Sequence, residues 1–228
     1  MTNPTEDTSL QQGHRSRLRQ KFLANQLTEY ELLELLLTYA IPRRDVRTLS
    51  RQLYKKYGNL YQLLSAPIES LMQNKGVKEN TAVLFKIIRK LMELEYKCVL
   101  DSKPIFYDYT KLENYCKLIL GNKTIEEFHV LYLDAQFKLI EDQTHSTGTT
   151  DWTAVYIREI VKFALNINAK YVVLLHNHST PYVSFSSQDI QITQTLAAAL
   201  DKLSIGLYDH LLVSGDVVYS ARNMHLLD

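Results

Sequence analysis

Two rhythms of apolar and polar residues divide this chain. Up to about residue 100 the apolar positions recur at helical spacing. Thr28-x-x-Glu31 is a capping box in front of the apolar run Glu31-Leu-Leu-Glu-Leu-Leu-Leu, and Ile41-Pro42 ends that helix. Asp45 caps the next helix, with Leu49 and Leu53 toward a core and Gly58 as its stop. Leu60 to Leu64 and Pro67 to Leu71 predict two short helices. Lys75-Gly76-Val77-Lys78 is a tight turn before a long helix from Glu79 to about Tyr96. At the front, the basic segment His14 to Lys21 predicts a short helix with Leu18 and Phe22 on one side, and residues 1–12 read as a disordered tail.

Around Ser102-Lys103-Pro104 the pattern breaks, which places a linker there and gives domains at 13–103 and 104–228. Tyr109 to Leu120 predicts one more helix. Beyond Gly121-Asn122 short apolar strands alternate with helices: strands at Phe128 to Leu133, Lys138 to Gln143, Tyr171 to Leu175 and Leu207 to Ser214, helices at Ile157 to Asn166 and Gln188 to Leu203. A hairpin through Gly215-Asp216 closes the chain. A small all-helical domain followed by an α/β layer domain is the architecture this implies.

Composition adds little until the charge is divided. The chain of 228 residues carries a net charge of +1. Residues 1–100 hold 16 Lys/Arg against 10 Asp/Glu, a surplus of +6, and residues 101–228 hold 10 against 15, a deficit of −5. A basic half and an acidic half suggest modules with different partners, and the basic one is a candidate for DNA. Tyr54, Tyr57 and Tyr61 among Arg51, Lys55 and Lys56 could stack on bases, although tyrosines in a helix core beside snorkelling lysines are the commoner case. No apolar run reaches the ~18 residues of a membrane span. The polar N-terminus does not read as a secretory signal, and the two cysteines, Cys98 and Cys116, lack metal or disulfide spacing. A cytoplasmic location is the expectation.

Candidate chemistry is concentrated in His176-Asn177-His178-(seven residues)-Ser186-Ser187-Gln188-Asp189. Residues two apart on a strand share a face, so His176 and His178 can meet one ion at the carboxyl end of the strand, and Asp189 joins from the next helix. Two imidazoles and a carboxylate suit zinc, one ion per chain, and leave a position open as catalytic sites do. Iron or manganese would accept the same ligands. Ser186-x-x-Asp189 can equally be read as a helix cap. Asp209 and His210, at the start of a later strand, are candidates to orient a ligand histidine, or a satisfied polar pair. His129 reads as core or edge, and His145 and His225 as surface.

The chain resembles the RadC family. The strand–HNH–SxxD run and the strand with Asp209-His210-Leu-Leu-Val carry the likeness, and H-x-H-x(7)-S-x-x-D is the metalloprotease motif called JAMM, of the MPN type. Leu27-Thr-Glu-Tyr-Glu-Leu-Leu-Glu-Leu-Leu-Leu and the hairpin around Gly76 extend it to nearly the whole chain. The resemblance implies an α-β-α domain with a mixed sheet, related to the cytidine-deaminase fold, behind a helix-hairpin-helix-like domain. It implies zinc on His176, His178 and Asp189, with Glu126 as the base, Ser186 as a donor to the oxyanion, and a peptide or isopeptide substrate. Glu127 and Glu159 are the other carboxylates in contention for the base. Gly76 and Lys78 would be the nucleic-acid contacts, although Lys78 stands where such hairpins carry a second glycine. After His178 the family's proline and glycine are replaced by Ser179-Thr180-Pro181-Tyr182, which puts Tyr182 and Phe185 on the substrate side.

Two functions follow. One is a zinc hydrolase of amide or isopeptide bonds. The other is a DNA-associated protein whose metal-bound JAMM domain is inactive. A zinc deaminase is excluded, because the H-x-E with P-C-x-x-C signature is absent.

Overall fold

Local sequence accounts for most of the helix boundaries. A computed structural model describes residues 4–148, 154–178 and 184–227. Helix α1 spans Pro4–Leu23 and α2 spans Glu29–Ala40. The Thr28 side chain accepts from the Glu31 N–H, and the Glu31 carboxylate accepts from the Thr28 N–H at 3.0 Å, so the capping box is complete. Helix α3 (Arg47–Tyr57) follows, its Arg47 N–H held by Asp45 Oδ1 at 2.9 Å. The short α4 (Leu60–Ser65) and α5 (Ile68–Met72) lead to the long α6, Glu79–Ser102.

One sequence expectation changes here. The backbone of residues 4–12 is helical, where the sequence suggests a tail. From Gly13 on, α1 is tied down by His14 Nε2 on the buried Glu34 (2.7 Å) and by Leu18, which is buried, whereas Phe22 is exposed. The chain divides into compact units at Leu91/Met92, inside α6. No breaker precedes Pro104, so the helix continues. Its early residues Ala82 and Phe85 join the core of Leu33, Leu37, Leu53 and Leu71, while Leu100 joins that of the sheet unit.

The second unit is built on a five-stranded mixed sheet, and the chain is α+β overall. After a 3-10 turn at Ile105–Asp108 come α7 (Tyr109–Leu120), β1 (Glu127–Leu133), β2 (Leu139–Thr147), α8 (Ala154–Asn166), β3 (Tyr171–Asn177), α9 (Ser187–Asp201), β4 (Gly206–Ser214) and β5 (Val217–Ser220). The strand order is β2-β1-β3-β4-β5, with β3 and β4 parallel and the other neighbours antiparallel. Helices cover both faces, which is why Val172 to Leu175 is continuously apolar and fully buried. On one face Val130, Tyr132, Val172 and Leu174 pack with Ile160 of α8 and Leu196 and Leu200 of α9. On the other, Leu131, Val173, Leu175 and Leu211 pack with Leu112, Tyr115 and Cys116 of α7. Burying each such side chain contributes about 1.5–3 kcal/mol. Among the described residues no helix is long and apolar enough to cross a membrane.

Candidate metal centre

His176, His178 and Asp189 converge where β3 ends and α9 begins. His176 lies on the α8/α9 face of β3, where the sheet period also sends His178. Ser186 is the N-cap of α9 and Asp189 its N3 residue. The Asp189 N–H donates to Ser186 Oγ (3.1 Å), while the Ser186 N–H and O–H both donate to Asp189 Oδ2 at 2.7 Å. The helix cap and the candidate ligand are thus one device: the box that starts α9 aims the carboxylate at the histidines.

The distances fit a metal. His176 Nε2 is 3.2 Å from His178 Nε2 and 3.5 Å from Asp189 Oδ1, and His178 Nε2 is 3.4 Å from Asp189 Oδ2. Bonds of ~2.0–2.1 Å to a tetrahedral ion separate its ligand atoms by ~3.4 Å. Burial works against ionising Asp189, but the neighbouring His176 and the donors of Ser186 outweigh it and hold the carboxyl well below the usual range.

A buried relay fixes the proton on His176. The Thr193 hydroxyl donates to the Asp189 carbonyl, so its oxygen accepts from His210 Nδ1–H at 2.6 Å. His210 Nε2 is then an acceptor and takes His176 Nδ1–H at 2.8 Å. This leaves His176 Nε2 unprotonated and pointing at the other two ligands, the tautomer a metal requires. Burial, followed by the neighbouring His176, keeps His210 neutral by pushing its pKa well down. Phe185 walls this relay, with its ring 5.1 Å from His210 and 5.9 Å from His176. It is buried with Leu212 and Ala221. Tyr182 lies outside the described residues.

His210→Leu is expected to weaken zinc binding about 10–100-fold, because it removes the acceptor that orients His176. His210→Gln, which restores a side-chain acceptor, should lose less. Competitive titration against a chromophoric chelator measures both, and equal affinity in His210→Leu and wild type would remove the relay from the account.

Asp209 is not part of the relay. It is in register with Val173, whereas His210 is in register with Leu174, so the two project from opposite faces of β4. Asp209 Oδ1 accepts from the N–H groups of His210 (2.7 Å) and Arg222 (3.0 Å), and Oδ2 from Ser220 Oγ (2.6 Å). It organises the β4–β5 hairpin.

The sheet also separates the candidate bases. Phe128 pairs with His176, so Glu127, the next residue along β1, projects from the opposite face, away from the ligands, while Glu126 lies just ahead of β1. Glu127 is engaged elsewhere, accepting from Lys123 Nζ at 2.8 Å and lying 3.3 Å from His129 Nε2. His129 is buried between Glu127 and Asp142. Burial depresses its pKa, and hydrogen bonding to the two carboxylates more than reverses this. Glu159 is exposed, in a cleft with Gln143, His145 and Lys162 that none of the three ligands lines. His145 is not a free surface histidine: it bonds Tyr132 Oη at 2.8 Å, and burial pushes its pKa down to about 4. His225 is exposed.

In the helical unit, Gly76 has φ +101°, a left-handed backbone that favours glycine, and a Cβ there would lie 3.4 Å from Leu49. Lys78 is exposed beside it. Tyr54 Oη donates to Glu29 (3.1 Å) and Tyr57 Oη to the Ser70 carbonyl (3.2 Å), both within the helical unit.

Comparison with known proteins agrees with this layout. A family model described as the RadC-like JAB domain matches residues 106–226, and the UPF0758 N-terminal model matches residues 9–83. A UPF0758 protein of Fusobacterium nucleatum is 35% identical over 219 residues, covering 92% of this chain and 94% of the relative. One from Ruegeria pomeroyi is 36% identical over 212 residues, covering 92% and 95%. With both halves matched in order and relatives aligned over almost their full length, the chain belongs to the UPF0758 family and carries a RadC-like JAB domain.

Proposed function

We propose that this protein is a zinc-dependent hydrolase of amide bonds, acting on a peptide or an isopeptide. The observation that carries the reading is the convergence of three candidate ligand atoms at tetrahedral spacing, with Glu126 just ahead of the strand whose Phe128 pairs with His176. When bound, zinc would polarise the scissile carbonyl and lower the pKa of a coordinated water to ~7. Glu126 accepts the proton of the attacking water and returns it to the leaving amine. Ser186 serves the oxyanion by turning its O–H from Asp189 Oδ2 toward substrate, while its backbone N–H keeps hold of that carboxylate. The unpaired Cys98 and Cys116 suit a reducing cytoplasm.

The test is hydrolysis of a peptide library that includes isopeptide-linked lysines, by the zinc-loaded protein. Glu126→Gln should keep the metal and lose about 10²–10⁴-fold in rate. Turnover that survives in Glu126→Gln would refute the assignment of the base. A zinc-loaded wild type that cleaves nothing would favour the inactive-scaffold alternative.

A further inference from the structure

Asn177 stands between the two histidine ligands, faces away from the metal site, and is nonetheless almost completely buried, at 1% exposure. Its amide makes three contacts, all to the backbone of one neighbouring segment. Oδ1 accepts from the Glu127 N–H at 2.9 Å, and Nδ2 donates to the carbonyls of Ile125 (3.1 Å) and Lys123 (3.4 Å). These groups bracket Glu126 on both sides.

The arrangement has a physical reason. Strand β1 begins at Glu127, and the β1–β3 pairing runs only from Phe128 opposite His176. Residues 123–126 therefore lie beyond the ladder that would hold them against β3. Asn177 supplies from its side chain the donor and the acceptor that a further rung would have supplied from the backbone. Gly148 N–H on the Glu126 carbonyl (2.8 Å) fixes the same segment from the β2 side. The ligand strand and the base-bearing segment are thereby joined by a residue that touches neither metal nor substrate.

We propose that Asn177 is a positioning residue that clamps the segment 123–127 and so sets where Glu126 stands relative to His176 and His178. The clamp itself rests on the contacts above, and its purpose rests on the hydrolase reading. A different side chain at this position leaves the ligand nitrogens on their strand and releases the carboxylate. Aspartate keeps the acceptor for Glu127 N–H but sets a negative oxygen against two carbonyls, so it releases the segment in part.

Two measurements on the full chain separate the clamp from its purpose. The first is amide hydrogen exchange in wild type, Asn177→Ala and Asn177→Asp, each checked for folding by circular dichroism. The Glu127 amide should exchange at least about tenfold faster in Asn177→Ala, less so in Asn177→Asp, while Val173 in mid-strand is unchanged. Unchanged protection at Glu127 in both variants overturns the proposal. Should Asn177→Ala fail to fold, Asn177→Asp decides the same point. The second is the visible spectrum of the cobalt(II)-loaded protein as a function of pH, with affinity for the ion within about threefold of wild type. Asn177→Ala should move its transition in the same direction as Glu126→Gln, a change that mere loosening far from the ion would not produce. A transition that moves in Glu126→Gln and not in Asn177→Ala overturns the positioning role. If Glu126→Gln itself leaves the spectrum unmoved, the base assignment falls, and the exchange data alone decide the clamp.

Discussion

Asp189→Asn and His178→Ala are each expected to lower zinc affinity by at least ~10²-fold, to the point where purified protein carries no stoichiometric metal. Changes one shell further out typically cost 10–100-fold, and removing one of only three protein ligands must exceed that. Asp189→Asn is the sharper of the two. It keeps the size of the side chain and an oxygen for Ser186 N–H, so the box that opens α9 changes by no more than about 1 kcal/mol. What it removes is the negative charge that His176 and Ser186 hold in place. Thermal melts give an independent check. Zinc at a hundredfold excess over its Kd stabilises the wild type by about 2.7 kcal/mol, which raises Tm by about 5–10 °C in a chain of this size. Both variants should melt at the same temperature with and without zinc. A wild type that neither retains zinc nor responds to it would end the metal-dependent reading.

Asp209→Ala should do the opposite, destabilising the fold by roughly 3 kcal/mol and leaving zinc affinity within about threefold of wild type. Asp209 is 2% exposed and receives three hydrogen bonds, from Ser220 and from the backbone of His210 and Arg222. Burial raises its pKa even against those donors, so the site already holds the carboxylate at a cost. Truncation leaves three donors without an acceptor in a closed environment, the circumstance in which a lost partner costs most. The metal side is spared because Asp209 projects toward α7 and His210 toward α9. Urea denaturation and zinc titration of the same preparation read the two effects separately. A large loss of zinc affinity at preserved stability would return Asp209 to the ligand-orienting role that its place beside His210 suggested.

The candidate ligands were legible because strand and helix periods are local. A histidine pair two apart at the end of an apolar strand shares a face whatever else the chain does. Ser186 followed three residues later by Asp189 caps a helix by short-range hydrogen bonding alone. Asp189 is placed for both readings, since it offers one oxygen to the cap and has the other within 3.5 Å of His176. Thr193 went unread, although it sits one turn after Asp189, the spacing at which helical side chains share a face.

What the sequence determined by itself is most of the elements, the family resemblance and the three candidate ligands, read from patterns local to a helix turn, a strand or a short motif. What only the tertiary structure decided is everything that depends on a neighbour distant in the chain. The pairing of Phe128 with His176 turns Glu127 away from the ligand face, and the pairing of β3 with β4 separates His210 from Asp209. In each case the period-2 alternation of a strand states that adjacent residues face opposite ways, but not which way is inward. The continuation of α6 past Leu91 has the same cause: a helix with apolar residues at both ends can serve two cores, and composition alone does not show where one ends. Local pattern fixes orientation only relative to itself, and packing against the rest of the chain makes that orientation absolute.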